Sequence, residues 1–398
     1  MNSLVAQLPQ VPDVPIDKDK SVAVQPAAQV STAAIVATMV QVSKQVSDLI
    51  FSPGRAPQIE LSGQLKELNI AGVGRLTPEA THRIAFDLIG KNELVAGKLE
   101  KEGATDLSYS LPGLGRFRVN IFRQRGTYAI VMRVIPQTIP DFTTLNLPPQ
   151  LGEIAELRNV IVLVTGPTGS VKSSTLAAIL NKINEEKAYH ILTIEDPIEF
   201  LHLHKKSTIH QRELHSDTPS FALALRAALR QAPKVILVGE MRDKETIEIA
   251  LEAAETGHLV FSTLHTIDAS KTVERIVGVF PLGDQQAIRN RVSKAFRYIV
   301  SQRLIPKKDG TGRVAVIEIL KSTMRTRDYV EKGESDGKSL VDAMKDGTTE
   351  GMQHFDSELQ RMIRADIIDL ETGLGYASNA GNLRLELADL AEAMAIGS

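Results

Sequence analysis

In residues 162–180, VLVTGPTGSVKSSTLAAIL, Gly166, Lys172 and Ser173 have the spacing of the G-x-x-x-x-G-K-[ST] phosphate-binding loop. Backbone N–H groups of such a loop, and the N-terminus of the helix after it, face phosphate oxygens. We expect Lys172 to pair with the outer phosphates of ATP and the Ser173 hydroxyl to bind Mg²⁺. The residues predicted to contact the nucleotide are Gly166, Pro167, Thr168, Gly169, Ser170, Val171, Lys172, Ser173 and Ser174. The alternative interpretation is an ordinary glycine-containing turn before a helix.

Val171 stands where this motif has glycine. If the loop requires a backbone conformation that only glycine favours, the strain is on the order of 1–3 kcal/mol. If this strain opposes binding, the affinity for nucleotide is weaker by roughly several-fold to a hundredfold. This reasoning predicts an impaired site, whereas a Cβ that points away from the phosphates predicts a working one.

Acidic and histidine side chains follow other apolar runs. Glu195 ends HILTIE, Glu240 ends VILVGE, and His258 and His265 bracket a further run. Residues at the carboxyl ends of parallel strands converge on the ligand crevice, so Glu240 could activate a water for attack on the γ-phosphate. Taken singly, each acid is more often a solvated cap and each histidine a structural one.

The elements that must position these residues are short apolar runs that alternate with helix-like segments. This pattern predicts buried strands in a parallel sheet covered by helices on both faces. Upstream, residues 31–50 have apolar residues at helical spacing, and residues 57–68 alternate like a strand with a glycine turn. Residues 81–103 indicate one or two helices, and residues 106–136 two or three strands.

These segments predict an α/β protein with two domains. The expected parts are a disordered extension at 1–28, a β-rich N-terminal domain at 29–135, a proline-rich linker at 136–151, a parallel-sheet domain at 152–321 and a helical C-terminal region at 322–398.

Composition excludes several classes of function. The 398 residues carry a net charge of -2 and only 4% aromatic residues, which disfavours nucleic acid as a partner. The absence of cysteine excludes disulfides and thiolate zinc sites. No apolar run approaches the roughly 20 residues of a membrane span, and the N-terminus lacks a signal-peptide pattern, so we expect a cytoplasmic protein.

The run from Asp106 to Pro281 resembles the type IV pilus retraction ATPases, the PilT-like branch of the bacterial type II/IV secretion ATPases. The motifs that carry this resemblance are GRFRVNIFRQRG, TGPTGSVKSST, TIEDPIEF, HQRE, ALRAALRQAPKVILVGEMRD and AAETGHLVFSTLHT. A weaker likeness extends over roughly 45–387. Assembly ATPases of the same superfamily usually carry a four-cysteine zinc module, so a chain without cysteine favours the retraction branch.

The resemblance implies a PAS-like N-terminal domain, a RecA-like P-loop ATPase domain with a mostly parallel sheet, and ATP with Mg²⁺ bound between them. It assigns Mg²⁺ or water positioning to Glu195, water activation to Glu240 and γ-phosphate sensing to His258 and His265. Arginines of the N-terminal domain would neutralise phosphoryl oxygens. The candidates are Arg116, Arg118, Arg123 and Arg133, for which a solvated strand face is the alternative.

In function, the resemblance implies a hexameric ring that hydrolyses ATP and powers pilus retraction, and hence twitching motility, by nucleotide-driven domain closure. Its partners would be an inner-membrane pilus platform protein, which holds it at the membrane peripherally, and a paralogous pilus ATPase. Val171, and Lys234 where the family has aspartate, motivate an alternative. In that alternative the chain is an ATPase-impaired accessory or regulatory subunit that binds nucleotide weakly.

Overall fold

An antiparallel sheet organises the N-terminal domain. The computed structural model describes residues 30–136 and 138–388, so the predicted extension at 1–28 lies outside the described residues. The strands are β1 (Val46–Phe51), β2 (Gln58–Leu61), β3 (Gln64–Glu67), β4 (Ala104–Leu111), β5 (Gly115–Gln124) and β6 (Thr127–Val134). They lie in the order β3-β2-β1-β6-β5-β4. The predicted hairpin at 57–68 and the strands at 106–136 are confirmed.

Three helices pack with this sheet. They are α1 (Thr32–Gln41), α2 (Pro78–Ile89) and α3 (Glu93–Glu102), and each begins after a side chain that accepts a hydrogen bond from a backbone N–H of its first turn. The prediction of one or two helices ending at Gly103 is confirmed as two helices, and Gly103 takes the left-handed conformation that stops α3.

The helix predicted across 31–50 is wrong in its second half. α1 ends at Gln41, and Val46 begins β1, which pairs with both β2 and β6. Pairing on both sides buries Leu49 and Phe51 and outweighs the helical spacing of the apolar residues.

A seven-stranded sheet forms the parallel-sheet domain. Its strands are β7 (Val160–Thr165), β8 (His190–Glu195), β9 (Thr208–Glu213), β10 (Val235–Val238), β11 (Leu259–Leu264), β12 (Phe296–Pro306) and β13 (Arg313–Lys321). The order is β13-β12-β7-β11-β10-β8-β9, and every neighbouring pair is parallel except β12 with β13. The predicted fold class, α/β with a mostly parallel sheet after an N-terminal domain, is confirmed.

Helices cover both faces of this sheet. They are α4 (Lys172–Glu186), α5 (Phe221–Ala228), α6 (Lys244–Glu255), α7 (Ala269–Gly278), α8 (Leu282–Ala295), α9 (Met324–Lys332), α10 (Leu340–Asp346), α11 (Phe355–Arg364), α12 (Leu370–Tyr376) and α13 (Ala380–Glu386). Alternate residues of β7 enter opposite cores: Ile161 joins one cluster and Val162 the other. Val330 and Leu340, on the C-terminal helices, share the core of Ile161.

The segment between the domains packs mainly with the second one. A 3₁₀ helix spans Pro149–Glu156, and Leu147 and Leu151 are buried in the cluster that contains Val162. In the described part of the chain, no helix has the length and apolar character needed to cross a bilayer.

Candidate functional site

The phosphate-binding loop connects β7 to α4, as the motif predicts. Gly166 has φ 145°, and a Cβ placed there would lie 2.4 Å from the Gln302 carbonyl oxygen and 2.5 Å from Ser170 Oγ. Gly169 has φ 80° but open space around it. The first glycine is therefore required by close packing, and the second by its backbone conformation alone.

Val171 occupies the left-handed region, with φ 62° and ψ 28°, immediately before α4. A β-branched residue in this region is strained because its side chain crowds its own backbone. The loop thus has the glycine-like conformation that the motif demands, although valine provides it. The Val171 side chain lines the cavity described below.

Lys172 is folded back onto the loop. Its Nζ donates to the carbonyl oxygens of Gly166 at 2.8 Å and Pro167 at 3.1 Å. Burial lowers the pKa of this ammonium group, while the Glu240 carboxylate acts in the opposite direction. A phosphate that enters the loop would replace these two carbonyl contacts with charge-assisted hydrogen bonds.

Glu195 ends β8 and is held by its neighbours. Its Oε1 accepts from Thr193 Oγ1 at 2.6 Å and from Gln211 Nε2 at 3.1 Å. Burial raises the pKa of the Glu195 carboxyl, although these hydrogen bonds oppose the shift. Gln211 also donates to the Phe200 carbonyl, so it fixes the acidic segment, residues 193–200, against β9.

Glu240 follows β10 on the same edge of the sheet. Its Oε2 lies 2.6 Å from Arg242 Nε and 3.6 Å from His265 Nε2. Burial and the Lys172 ammonium lower the pKa of His265, so the imidazole is neutral near pH 7. A neutral imidazole can hydrogen-bond to a water or a phosphate without adding positive charge.

These residues line one cavity of about 820 Å³ that lies between the two domains. Small-molecule sites in proteins usually have volumes of about 300–1,000 Å³. The parallel-sheet domain supplies Thr168, Gly169, Val171, Lys172, Ser173, Ser174, Glu195, Glu240 and His265. The N-terminal domain supplies Lys44, Gln45, Val46, Ser47, Arg133 and Val134.

The four candidate arginines separate in the structure. Arg133 lines the cavity, and its Nε pairs with Asp48 Oδ1 at 3.0 Å. Arg116 forms an ion pair with Glu213 in the other domain. Arg118 lines a second cavity, and Arg123 donates to the Tyr128 hydroxyl. In this conformation the structure brings Arg133 to the site and does not bring Arg118 or Arg123 there.

His258 and Lys234 lie at the amino ends of their strands, on the side of the sheet opposite the phosphate-binding loop. His258 precedes β11, and its Nδ1 lies 2.8 Å from the Ala253 carbonyl oxygen. Lys234 precedes β10, and its carbonyl oxygen accepts from the N–H of Leu259. The expectation that His258 senses γ-phosphate is therefore corrected, because His258 does not line the cavity. The charge change at Lys234 is also remote from the loop.

Several residues that line the cavity were not predicted from the sequence. Lys44 and Gln45 lie in the turn before β1, where no motif marks them. His202 follows the acidic segment. Only Arg242 had a local signal, since it lies two residues after Glu240 in the VGEMRD run.

The oxygen-bearing side chains fit a magnesium ion bound mainly by nucleotide. Ser173 is exposed in the first turn of α4, and Glu195 and Glu240 face the same cavity. Among residues 30–136 and 138–388, no group of three or more His, Asp or Glu could hold a metal. That donor set suits Mg²⁺, which keeps several waters and takes phosphate oxygens in such sites.

Known proteins resemble this chain in sequence and in fold. A twitching motility protein of Neisseria gonorrhoeae is 44% identical over 327 residues, covering 82% of this chain and 86% of the relative. The type IV pilus retraction ATPase PilT of Pseudomonas aeruginosa is 42% identical over 325 residues, covering 82% and 92%. A crystal structure of the pilus retraction motor PilT with bound ADP matches with a TM-score of 0.77 and 41% identity, covering 88% of this chain and 98% of that one.

The family model described as type II/IV secretion system protein matches residues 88–367, which include both the arginine-rich strand β5 and the phosphate-binding loop. With the geometry above and the relatives' near-complete coverage, the chain belongs to the type II/IV secretion system protein family and is a homologue of the pilus retraction ATPases.

Proposed function

We propose that this chain is the ATP-hydrolysing motor subunit of a type IV pilus and that it powers pilus retraction. The observation that carries the proposal is the placement of the loop. Lys172 and Ser173 face Glu240 and His265 across a cavity whose other wall belongs to the N-terminal domain. Family membership supports ATP hydrolysis, and the names of the relatives support the role in retraction.

The chemistry assigned to each residue follows from its position. Lys172 would leave the loop carbonyls to pair with the outer phosphates, and the Ser173 hydroxyl would help to hold Mg²⁺, which would supply neutralisation of the phosphate charge. Glu240 orients and activates the attacking water, and neutral His265 hydrogen-bonds near the γ-phosphate. Glu195, fixed in position on β8, would help to hold Mg²⁺ through water.

The N-terminal domain, which forms the second wall of the cavity, would supply the movement. Arg133 and Lys44 are cationic groups of the N-terminal domain, so a bound triphosphate attracts that domain towards the loop. Hydrolysis and phosphate release weaken the attraction, and the domains separate. We propose that a hexameric ring passes this movement to a pilus platform protein at the cytoplasmic face of the inner membrane, with a paralogous pilus ATPase as a further partner.

Val171 motivates a second candidate, an accessory subunit that binds nucleotide weakly. Its left-handed backbone is strained. The folded loop nevertheless has the left-handed conformation that the motif demands, and Lys172 and Ser173 follow it at the start of α4, which favours the motor.

The test has three parts. Purified protein should release phosphate from ATP with Mg²⁺, and Glu240→Gln should abolish that release while leaving nucleotide binding intact. With Mg-ATP, the particle should have six times the mass of the 43.4 kDa chain. Deletion of the gene should leave cells piliated but unable to twitch. Absence of turnover in both the natural protein and Val171→Gly would refute the enzyme.

A further inference from the structure

A row of three buried polar side chains crosses the parallel-sheet domain behind the phosphate-binding loop. Ser301 on β12 is the register neighbour of Thr165 on β7 and of Glu318 on β13. Thr165 Oγ1 donates to Ser301 Oγ at 3.1 Å, and the Ser301 hydroxyl is hydrogen-bonded to the Glu318 carboxylate. The exposed fractions of Thr165, Ser301 and Glu318 are 0%, 0% and 1%.

The two ends of this row meet two different parts of the nucleotide site. Thr165 immediately precedes Gly166, the first residue of the loop. At the other end, Glu318 Oε1 accepts from the N–H of Ala269 at 2.9 Å, at the first residue of α7. Residues 265–268 join β11 to α7 and include His265, which faces Glu240.

From this geometry we propose that Glu318 is a positioning residue, which sets the His265 segment relative to the phosphate-binding loop and links turnover to its own ionisation. Glu318 touches neither nucleotide nor water in the cavity, and it acts through Ala269 and Ser301. The proposal rests on the proposed ATPase function. It extends that function to a residue on β13, two strands away from β7.

The charges around Glu318 make its ionisation accessible near neutral pH. Burial raises the pKa of Glu318 to about 7, against the hydrogen bond from Ala269. Asp268, before α7, raises the pKa further, whereas Ser301 and Arg303 on β12 lower it. Above this pH the carboxylate accepts a charge-assisted hydrogen bond from the positive end of α7. The His265 segment is then held more tightly, so turnover should rise.

Glu318→Gln tests this link, since glutamine keeps an acceptor of the same size but cannot ionise. The ratio of natural to variant kcat should be near one at pH 6 and about threefold to tenfold at pH 8, with little change in KM. Glu358→Gln is the matched control, because Glu358 is also a buried carboxylate but pairs with Arg361 three residues later on α11. That control should follow the natural pH profile.

Ser301→Ala, which breaks the row without removing a charge, should lower kcat at both pH values. A natural-to-variant ratio for Glu318→Gln that stays constant between pH 6 and pH 8 would overturn the link to ionisation.

Hydrogen exchange gives a readout that does not depend on turnover. At pH 8, a peptide spanning residues 265–272 should exchange several-fold faster in Glu318→Gln than in the natural protein, while a peptide from α6 should not change. Equal exchange in the 265–272 peptide would refute the positioning role. If the natural protein lacks turnover, the proposed function fails, and the exchange result still decides the inference.

Discussion

Arg116 of the N-terminal domain and Glu213 of the parallel-sheet domain form an ion pair, with 3.1 Å between Nη2 and Oε2. The Glu213 side chain is only 4% exposed, and its Oε2 also accepts from the N–H of Ile198. Ile198 follows Asp196 and Pro197, which line the nucleotide cavity. One carboxylate therefore connects the N-terminal domain to the acidic segment of the site.

Arg116→Met should destabilise the protein, because it leaves the buried Glu213 carboxylate without its cation. Removal of one partner from a buried pair typically costs about 3–5 kcal/mol, and the partial exposure of Arg116 places the expected loss at the lower end. The double variant Arg116→Met/Glu213→Gln should recover most of it. Urea unfolding of the four proteins measures the coupling, and simple additivity of the two single effects would show that the pair contributes none.

Gly166→Ala should prevent nucleotide binding. Its Cβ would meet backbone and side-chain atoms at 2.4 and 2.5 Å, so the loop must move away from its present path. Gly169→Ala is the control, since its Cβ meets nothing within 4 Å and only the left-handed backbone opposes it, at about 1–2 kcal/mol. Fluorescent-nucleotide titration compares them, and equal affinity for both variants would contradict the packing argument.

Glu240→Gln should separate binding from chemistry. Loss of a general base typically lowers the rate by about 10²–10⁴-fold, whereas Lys172 and the loop remain available to hold phosphate. Glu252→Gln, on the exposed side of α6, is the control and should keep natural kcat. Phosphate-release kinetics and nucleotide titration together check this prediction. Equal losses of binding and turnover would argue that Glu240 mainly shapes the pocket.

Stability should depend on the ionisation of His202, which lines the cavity. Burial lowers the pKa of His202 to about 4 from an ordinary value of 6.5. A group whose pKa is lowered by folding contributes stability above pH 6.5 and loses it as pH falls towards 4, a loss of about 3 kcal/mol. His202→Gln should flatten this part of the unfolding profile, whereas His204→Gln, at an exposed histidine, should retain the natural slope.

Val171→Gly should raise the stability of the folded protein. Relief of left-handed strain is worth about 1–3 kcal/mol. The greater freedom of glycine in the unfolded chain offsets about 0.5–1 kcal/mol of that gain. Val42→Gly is the matched control, because Val42 has φ -59° and 49% exposure, so that variant should only lose stability. Thermal unfolding measures both, and a destabilised Val171→Gly would mean that valine packing outweighs the backbone strain.

The motifs could be predicted because local physics determines them. A glycine loop between an apolar strand and a helix needs no distant contact to be recognised, and Glu195 and Glu240 end parallel strands that must share an edge. His258 was placed wrongly although the sequence held the answer: seven residues along a strand separate it from His265 by roughly 23 Å. Lys44 could not be found, because its place in the cavity depends on how the N-terminal domain packs against the second domain.

The backbone conformation of Val171 could not be predicted from the sequence either. Folding places Val171 in the left-handed backbone that the motif demands. We expect a strain held by the folded loop to be common to the free and bound states and to cancel from the binding equilibrium. The strain at Val171 therefore lowers the stability of the folded protein and not its affinity for nucleotide.

The most direct test is an equilibrium titration with ATP and Mg²⁺ of two variants, Glu240→Gln and Val171→Gly/Glu240→Gln. The Glu240→Gln substitution prevents turnover in both. We predict saturable binding in both, with dissociation constants that agree within about tenfold, or roughly 1.4 kcal/mol. No saturable binding to the protein with Val171, together with tight binding to the glycine variant, would contradict this account and favour the accessory subunit.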